Sequence, residues 1–219
     1  MSNRAAAANR RQARRRNARA DLLSTAWEIV REGGLGALSL RDLARRAGIT
    51  TPTVYAYFDS KNAIFDAMFA DAAQSFADSR SEPLEAGDPQ QSLVTDATRF
   101  VEFCTSDVAR YQLLFQHVLP GFAPSPESYA PAVRALELTR QRLGQNGVTD
   151  ASHCDIWTAL MTGLVDQQIS NDPGGDRWSR LVEDVVVMFL AHCSEASKSA
   201  TSTANPPASR AQPIRRSNV

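Results

Sequence analysis

The spacing of apolar residues along the chain predicts a protein built from helices. Between about residues 20 and 32, apolar residues recur every three or four positions, as they do on one face of an α-helix. Further segments of this kind follow, and the last two cover about residues 149–170 and 176–194. No segment alternates apolar and polar residues as a half-buried strand does, so the pattern predicts an all-α fold of about nine helices.

Two short helices are predicted soon after the first. Ser39, with Asp42 three residues later, marks a helix start at which a hydroxyl and a carboxylate bind free amide groups. Gly48 ends this helix, because glycine adopts the backbone conformation of a tight turn at little cost. Thr50 or Thr51 then caps a third helix. Two helices of about two turns each, joined by a short turn that contains glycine, form a helix-turn-helix.

The remaining helices are separated by proline, glycine and capping residues. A fourth helix is predicted over residues 61–80 and a fifth over residues 89–104, and Ser106 caps a sixth. Residues 120–131 contain four prolines and are predicted to form a loop, so the seventh helix is expected to begin near residue 130.

Charge is distributed unevenly along a chain whose formal net charge is zero. Residues 1–62 carry twelve basic side chains against five acidic ones, and the rest of the chain carries an equal excess of acid. Such asymmetry indicates a polyanionic partner for the basic end, although a solvated basic tail without a partner would show the same balance. The density of arginine in residues 1–18 predicts a disordered basic arm, and the polar composition of residues 196–219 predicts a disordered tail.

The stretch from Ser39 to Lys61 contains a specific combination of motifs. It has a Leu-Ala pair before the turn, a Gly-aliphatic turn, the sequence Val-Tyr-Ala-Tyr-Phe after it, and a Ser-Lys pair where the fourth helix begins. This combination resembles the DNA-binding region of the TetR family of transcriptional repressors. The resemblance covers about residues 18–66, and it implies a DNA-binding domain over residues 19–66 and a helical domain for ligand binding and dimerisation over residues 67–195.

The resemblance implies a role in DNA binding for seven residues. These residues would lie on the recognition helix and its flanks, where they would face the major groove and the neighbouring phosphates. They are Arg41, Thr51, Thr53, Tyr55, Ala56, Tyr57 and Lys61. The small side chain of Ala56 can contact little more than a thymine methyl group. Either tyrosine could instead pack against the core, and the basic arm could be a clamp on DNA or a flexible tail.

The body of the chain is expected to provide a dimer interface and a ligand pocket, both implied by the resemblance. The last two helices carry an apolar band that is wide enough to pack both on the chain's own core and on a second subunit. The interface candidates are Leu164, Val165, Trp178, Leu181, Val182, Val185, Val186 and Phe189. The pocket candidates are Phe100, Phe103, Tyr111, Leu114, Phe115, Val118, Trp157, Leu160 and Met161, with Phe122 beside them. An ordinary filled core explains each pocket candidate equally well.

The sequence therefore predicts a regulator and not an enzyme. It lacks the motifs of nucleophilic, metal-dependent and phosphate-binding catalysis, and its three histidines have no metal-ligand spacing, so no cofactor, metal or catalytic residue is expected. No apolar run is long enough to span a bilayer, and three scattered cysteines are typical of a reduced cytoplasmic protein. The expected partners are an operator in double-stranded DNA, a second copy of the chain and a small apolar effector. Control by a protein partner, or activation of transcription, is the alternative.

Overall fold

The computed structural model describes residues 2–81, 84 and 87–203. These residues form nine α-helices and two short 3-10 turns, with no strand among them, which confirms the predicted all-α fold. The 3-10 turns are Leu35–Ala37 and Ser179–Leu181. The helices are α1 Ser2–Gly33, α2 Leu40–Arg46, α3 Thr51–Tyr55, α4 Lys61–Ser81, α5 Pro89–Ser106, α6 Val108–Phe115, α7 Pro126–Gln145, α8 Ala151–Asn171 and α9 Val182–Thr203.

Both ends of the described chain are more helical than the sequence predicts. Helix α1 begins at Ser2, so the prediction of a disordered arm over residues 1–18 is wrong from that residue onward. Alanine and arginine are strong helix formers, and extending an existing helix requires no new nucleation. Helix α9 likewise continues through residues 196–203, where the sequence predicts disorder, because extension of an existing helix needs no new nucleus. The rest of the predicted tail, residues 204–219, lies outside the described residues.

Two other helix starts differ from prediction. Helix α7 begins at Pro126 and contains Pro131, so the predicted loop over residues 120–131 ends earlier. The Ser125 hydroxyl accepts a hydrogen bond from the Ser128 amide at 3.3 Å, and Pro126 occupies the first helical position, where a missing N–H costs nothing. Helix α6 is capped by Asp107 and not by Ser106, because the Asp107 carboxylate accepts from the Arg110 amide at 3.1 Å.

The core consists of two apolar clusters that meet in the body of the protein. The first joins α1, α2 and α3 to α4 and extends to α6 and α7, while the second lies among α5, α6, α8 and α9. Phe100, Phe103 and Phe115 pack against both clusters. Because α4 crosses residue 66 without a break, the predicted domain boundary there remains a prediction. Among the described residues, no helix combines the length and the hydropathy that a membrane span requires.

The turn between α2 and α3 depends on the conformation of Gly48. Its φ is +67°, and a Cβ built at this position would have no atom within 4 Å, so backbone strain is the main cost of a side chain. We expect Gly48→Ala to lower the free energy of unfolding by about 1 kcal/mol, because L-residues disfavour the left-handed region. Gly36 has equally open surroundings without a positive φ, so Gly36→Ala is the matched control in urea denaturation. Equal stability of the two variants would refute the strain argument.

Candidate functional site

Helix α2 is fixed at its start by a cap and along its length by ion pairs. The Ser39 hydroxyl accepts a hydrogen bond from the Asp42 amide at 3.1 Å, as predicted. The Asp42 carboxylate does not complete the predicted reciprocal cap, because it accepts from the guanidinium groups of Arg45 and Arg46. The hydrogen bond from Arg45 is the largest reason why the pKa of Asp42 lies below its ordinary value. Arg46 also pairs with Glu32 at 2.7 Å, which ties α2 to α1.

Helix α3 buries one side and presents the other to solvent. Thr50 is its cap, since the Thr50 hydroxyl accepts from the Thr53 amide at 3.4 Å. Val54 is completely buried in the first core cluster, whereas its neighbour Tyr55 is 48% exposed. A half-exposed aromatic side chain on a helix whose opposite side is anchored in the core is suited to contact another molecule.

The seven predicted DNA-binding residues lie around this turn with different degrees of exposure. Arg41, Tyr55 and Ala56 are exposed, and the other four are half-buried. The hydroxyl groups of Thr50 and Thr53 lie 2.9 Å apart, so Thr53 is partly engaged within the turn. Tyr57 packs against the core, as the alternative interpretation anticipates. The Lys61 ammonium lies 5.4 Å from the centre of the Phe65 ring at the start of α4.

Helix α1 brings additional arginines to the same region, which sequence reasoning missed. The Arg15 guanidinium donates to the carbonyl of Ala56 at 3.1 Å, directly after α3, and Arg19 lies 4.7 Å from the centre of the Phe58 ring. The exposed arginines of this part of α1 are Arg10, Arg11, Arg14, Arg15, Arg16 and Arg19. No sequence signal indicates these contacts, because they require α1 to extend well before residue 20.

A cavity of about 300 Å³ lies inside the body. Helices α4, α5, α6, α7 and α8 all contribute to its wall, which is mainly apolar. Tyr129, Val133 and Leu136 of α7 and Thr158 of α8 line it and are exposed, so the cavity opens to solvent between these two helices. Its volume lies at the lower end of the range of about 300–1,000 Å³ that is usual for small-molecule sites.

The structure brings only some of the predicted pocket residues to this cavity. Five of them line it, namely Phe100, Leu114, Phe115, Trp157 and Met161. Val118 and Phe122 line a smaller cavity of about 190 Å³ near the start of α7. Phe103, Tyr111 and Leu160 line neither cavity and pack in the core. Sequence reasoning expected the fifth to eighth helices to enclose the cavity, but it named no wall residue of α7 and missed α4; the residues concerned include Phe76, Arg80 and Thr139.

Most of the predicted dimer-interface residues point into the chain's own core. Five of the eight are buried within one chain, namely Leu164, Val165, Val182, Val186 and Phe189. These five predicted interface side chains are already covered by the second core cluster of one chain. Leu181, Val185 and Trp178 are half-buried. The apolar side chains that α8 and α9 expose are instead Ile156, Val187 and Met188, at 40%, 45% and 57%.

Helix α6 connects the wall of the cavity to the N-terminal helices. At its start, the Asp107 carboxylate accepts from Arg31 of α1 at 2.8 Å. In its middle, the Tyr111 hydroxyl donates to Asp166 of α8 at 2.8 Å, and burial is the main reason why the pKa of this tyrosine is raised. At its end, Leu114 and Phe115 line the cavity. Helix α6 therefore contacts both the cavity and, through the Arg31–Asp107 pair, helix α1.

The fold and the exposed turn define an all-helical helix-turn-helix protein with a cavity in its body. Residues 22–68 match the model of the family described as bacterial regulatory proteins, tetR family. The resemblance seen in the sequence is confirmed over these residues, which correspond to the family's N-terminal DNA-binding region.

Individual relatives agree with this assignment. The HTH-type transcriptional repressor KstR2 of Rhodococcus jostii is 30% identical over 105 residues, which cover 46% of this chain and 52% of the relative. The chain thus spans about half the length of that curated relative. Two solved structures share the fold at low sequence identity.

The first is a tetR-family transcriptional regulator from Streptomyces coelicolor, which is 20% identical with a TM-score of 0.66 and covers 86% of each chain. The second is FadR from Bacillus subtilis in complex with stearoyl-CoA, which is 18% identical with a TM-score of 0.59 and covers 77% of this chain and 96% of that one. At these identities the similarity establishes the fold alone.

Proposed function

We propose that the protein is a transcriptional repressor that binds a pseudo-palindromic operator as a homodimer and is released by a small, mainly apolar effector. The observation that carries the proposal is the exposed Tyr55 on a recognition helix anchored by Val54 and flanked by arginines of α1. Basic side chains hold the phosphate backbone, while α3 enters the major groove. The description of the KstR2 relative as a repressor supports this direction of control.

The proposed dimer is formed by the exposed apolar side chains of α8 and α9. When a second copy related by a two-fold axis packs against this surface, it removes Ile156, Val187 and Met188 from contact with water. A two-fold dimer presents two recognition helices to successive turns of the major groove, about 34–36 Å apart. Each subunit then contributes the same contacts to one half of the operator.

We expect Met188→Glu to convert the dimer into a monomer. An interface that buries an unpaired carboxylate loses much of its stability, because the charge must leave water without a partner. Val108 is 39% exposed at the start of α6, away from the proposed interface, so Val108→Glu is the control. Sedimentation velocity should detect a native dimer, a dimeric control and a monomeric Met188 variant. A native chain that sediments as a monomer would contradict the proposed interface.

The proposed release by an effector uses the apolar cavity and α6. A ligand in the cavity contacts Leu114 and Phe115, and it favours a position of α6 that moves α1 through the Arg31–Asp107 pair. The ligand shifts the dimer toward recognition-helix spacings that do not match DNA, and a differential affinity of a few kcal/mol is enough. The neighbour FadR, solved with stearoyl-CoA, supports a ligand with a long apolar part.

A footprint on the DNA that flanks the gene tests the proposed function. The native chain should protect two symmetric half-sites whose centres are about one helical turn apart, because the dimer has a two-fold axis. A single unsymmetric protected site would contradict dimeric operator binding, and the absence of any protection would contradict the proposal as a whole.

A further inference from the structure

A buried ion cluster lies where α4, α5 and α7 meet beside the cavity. Arg80 and Asp96 are only 3% and 1% exposed, and the guanidinium of Arg80 lies 2.6 Å from the carboxylate of Asp96. The Arg142 guanidinium pairs with the other oxygen of Asp96 and also donates to the carbonyl of Arg80 at 2.5 Å. Arg80 further donates to the hydroxyl of Thr139 at 2.8 Å.

The charges of this cluster do not cancel. Among the residues that the structure describes, Asp96 is the one carboxylate paired with these two guanidinium groups, which leaves one positive charge in excess. Burial of an excess charge is unfavourable, because the charge loses its hydration without gaining a partner. The same loss of hydration lowers the pKa of Arg80 to about 10. The cluster therefore favours an additional anion.

Arg80 is the member of the cluster that faces the cavity. Together with Thr139 it lines a wall that is otherwise largely apolar and aromatic. Its Nε group is buried and has no hydrogen-bond partner in the described part of the chain. A buried N–H without an acceptor costs stability, so the protein satisfies this guanidinium only in part. The ring of Phe76 lies 5.9 Å from the guanidinium and forms the apolar wall beside it.

We propose that the cavity binds an amphipathic monocarboxylate, with its carboxylate at Arg80 and its apolar chain directed toward the opening between α7 and α8. The carboxylate accepts from Arg80 and balances the excess charge of the cluster. Phe100, Phe115 and Trp157 enclose the apolar chain. This inference rests on the effector binding that the proposed function includes, and it specifies the chemical class of the effector.

Binding of three compounds with the same carbon chain to the native protein tests the inference without altering the protein. The compounds are decanoic acid, its methyl ester and decanol, measured by isothermal titration calorimetry at neutral pH, where the acid is ionised. Decanoic acid should bind at least about tenfold more tightly than the ester or the alcohol, because only the carboxylate forms charged hydrogen bonds. Equal affinities for the three compounds would overturn the role of Arg80.

Two arginine variants locate the effect in the cavity. In Arg80→Met the preference for decanoic acid over its ester should disappear, provided that circular dichroism shows a folded protein. Arg134 lies on the exposed side of α7, where it donates to Gln74, and Arg134→Met is the control because it removes the same charge. The control should keep the preference. A preference that survives in Arg80→Met would overturn the inference, and if this variant does not fold, the three compounds on the native chain decide the question.

The experiment also separates this inference from the proposed function. The DNA footprint requires no ligand, so symmetric protection of the operator supports DNA binding whatever the calorimetry shows. If the ester binds as tightly as the acid, the effector class is wrong while release by an apolar ligand stands. If none of the three compounds binds, the inferred effector class is overturned and the operator footprint is unaffected.

Discussion

The Tyr55→Ala variant is expected to bind operator DNA at least about tenfold more weakly than the native chain, a loss of about 1.4 kcal/mol. The side chain is 48% exposed on α3, so it contributes less to the core than to a molecule that covers it. Aromatic side chains at the centre of an interface commonly dominate its binding energy. The affinities are measured by gel shift on the protected fragment, with the free energy of unfolding of each protein measured in parallel.

Tyr129 provides the matched control for this substitution. It is 50% exposed and stacks on Phe69 near the cavity opening, with ring centres 5.9 Å apart, and it lies far along the chain from the helix-turn-helix. Tyr129→Ala removes the same side chain from an equally exposed site, and its DNA affinity without ligand should equal that of the native chain. Equal losses in both variants would contradict a specific role for Tyr55.

The Asp96→Asn variant is expected to lose about 3–5 kcal/mol of stability, because it leaves the buried guanidinium of Arg80 and the half-buried guanidinium of Arg142 without a counter-charge. For a protein of this size such a loss lowers the melting temperature by roughly 6–20 °C. The amide keeps the shape of the carboxylate, so the effect reports charge and not packing. Thermal unfolding followed by circular dichroism measures it.

A surface carboxylate serves as the comparison for the buried one. Asp42 also forms ion pairs with two arginines, Arg45 and Arg46, but these ion pairs lie on the solvent-exposed side of α2. Exposed ion pairs contribute little, since water and salt screen them. Asp42→Asn should therefore melt close to the native temperature. Equal melting temperatures for Asp96→Asn and Asp42→Asn would contradict a stabilising role of the buried ion cluster.

The helix-turn-helix is the part of the fold that local sequence signals predict best. Ser39 and Thr50 cap their helices as expected, and Gly48 adopts the positive φ that the turn requires. Each of these signals acts within a few residues, so that no knowledge of tertiary contacts is needed to interpret it. The exposure of Tyr55 and the burial of Val54 follow from the same short pattern.

Signals that compete with each other account for the errors in helix length. In residues 1–18, repulsion between arginines opposes the high helix propensity of alanine and arginine, and the structure shows that propensity prevails from Ser2. A proline inside a helix normally ends or bends it, but α7 continues through Pro131. In both places the sequence contains the relevant residues without indicating which effect is larger.

The cavity and the interface could not be predicted from composition alone. An apolar residue such as Phe103 has the same sequence signature whether it fills a core or lines a void, and only the packing of five helices separates the two cases. Helix α9 has apolar residues on two faces, and the sequence does not indicate which face packs in the core. In the structure Val186 is buried, whereas its neighbour Val187 is exposed. Arg80 has the sequence signature of an ordinary charge near a helix end, yet it is buried beside Asp96, a residue of another helix.

Entry of α3 into a groove of duplex DNA can be checked by a gel shift of the purified native chain over a series of salt concentrations. On double-stranded fragments from its own locus, the chain should form a specific complex whose log affinity falls linearly with log salt, as counterions leave the phosphates. Failure to bind any of these fragments at low salt would contradict it.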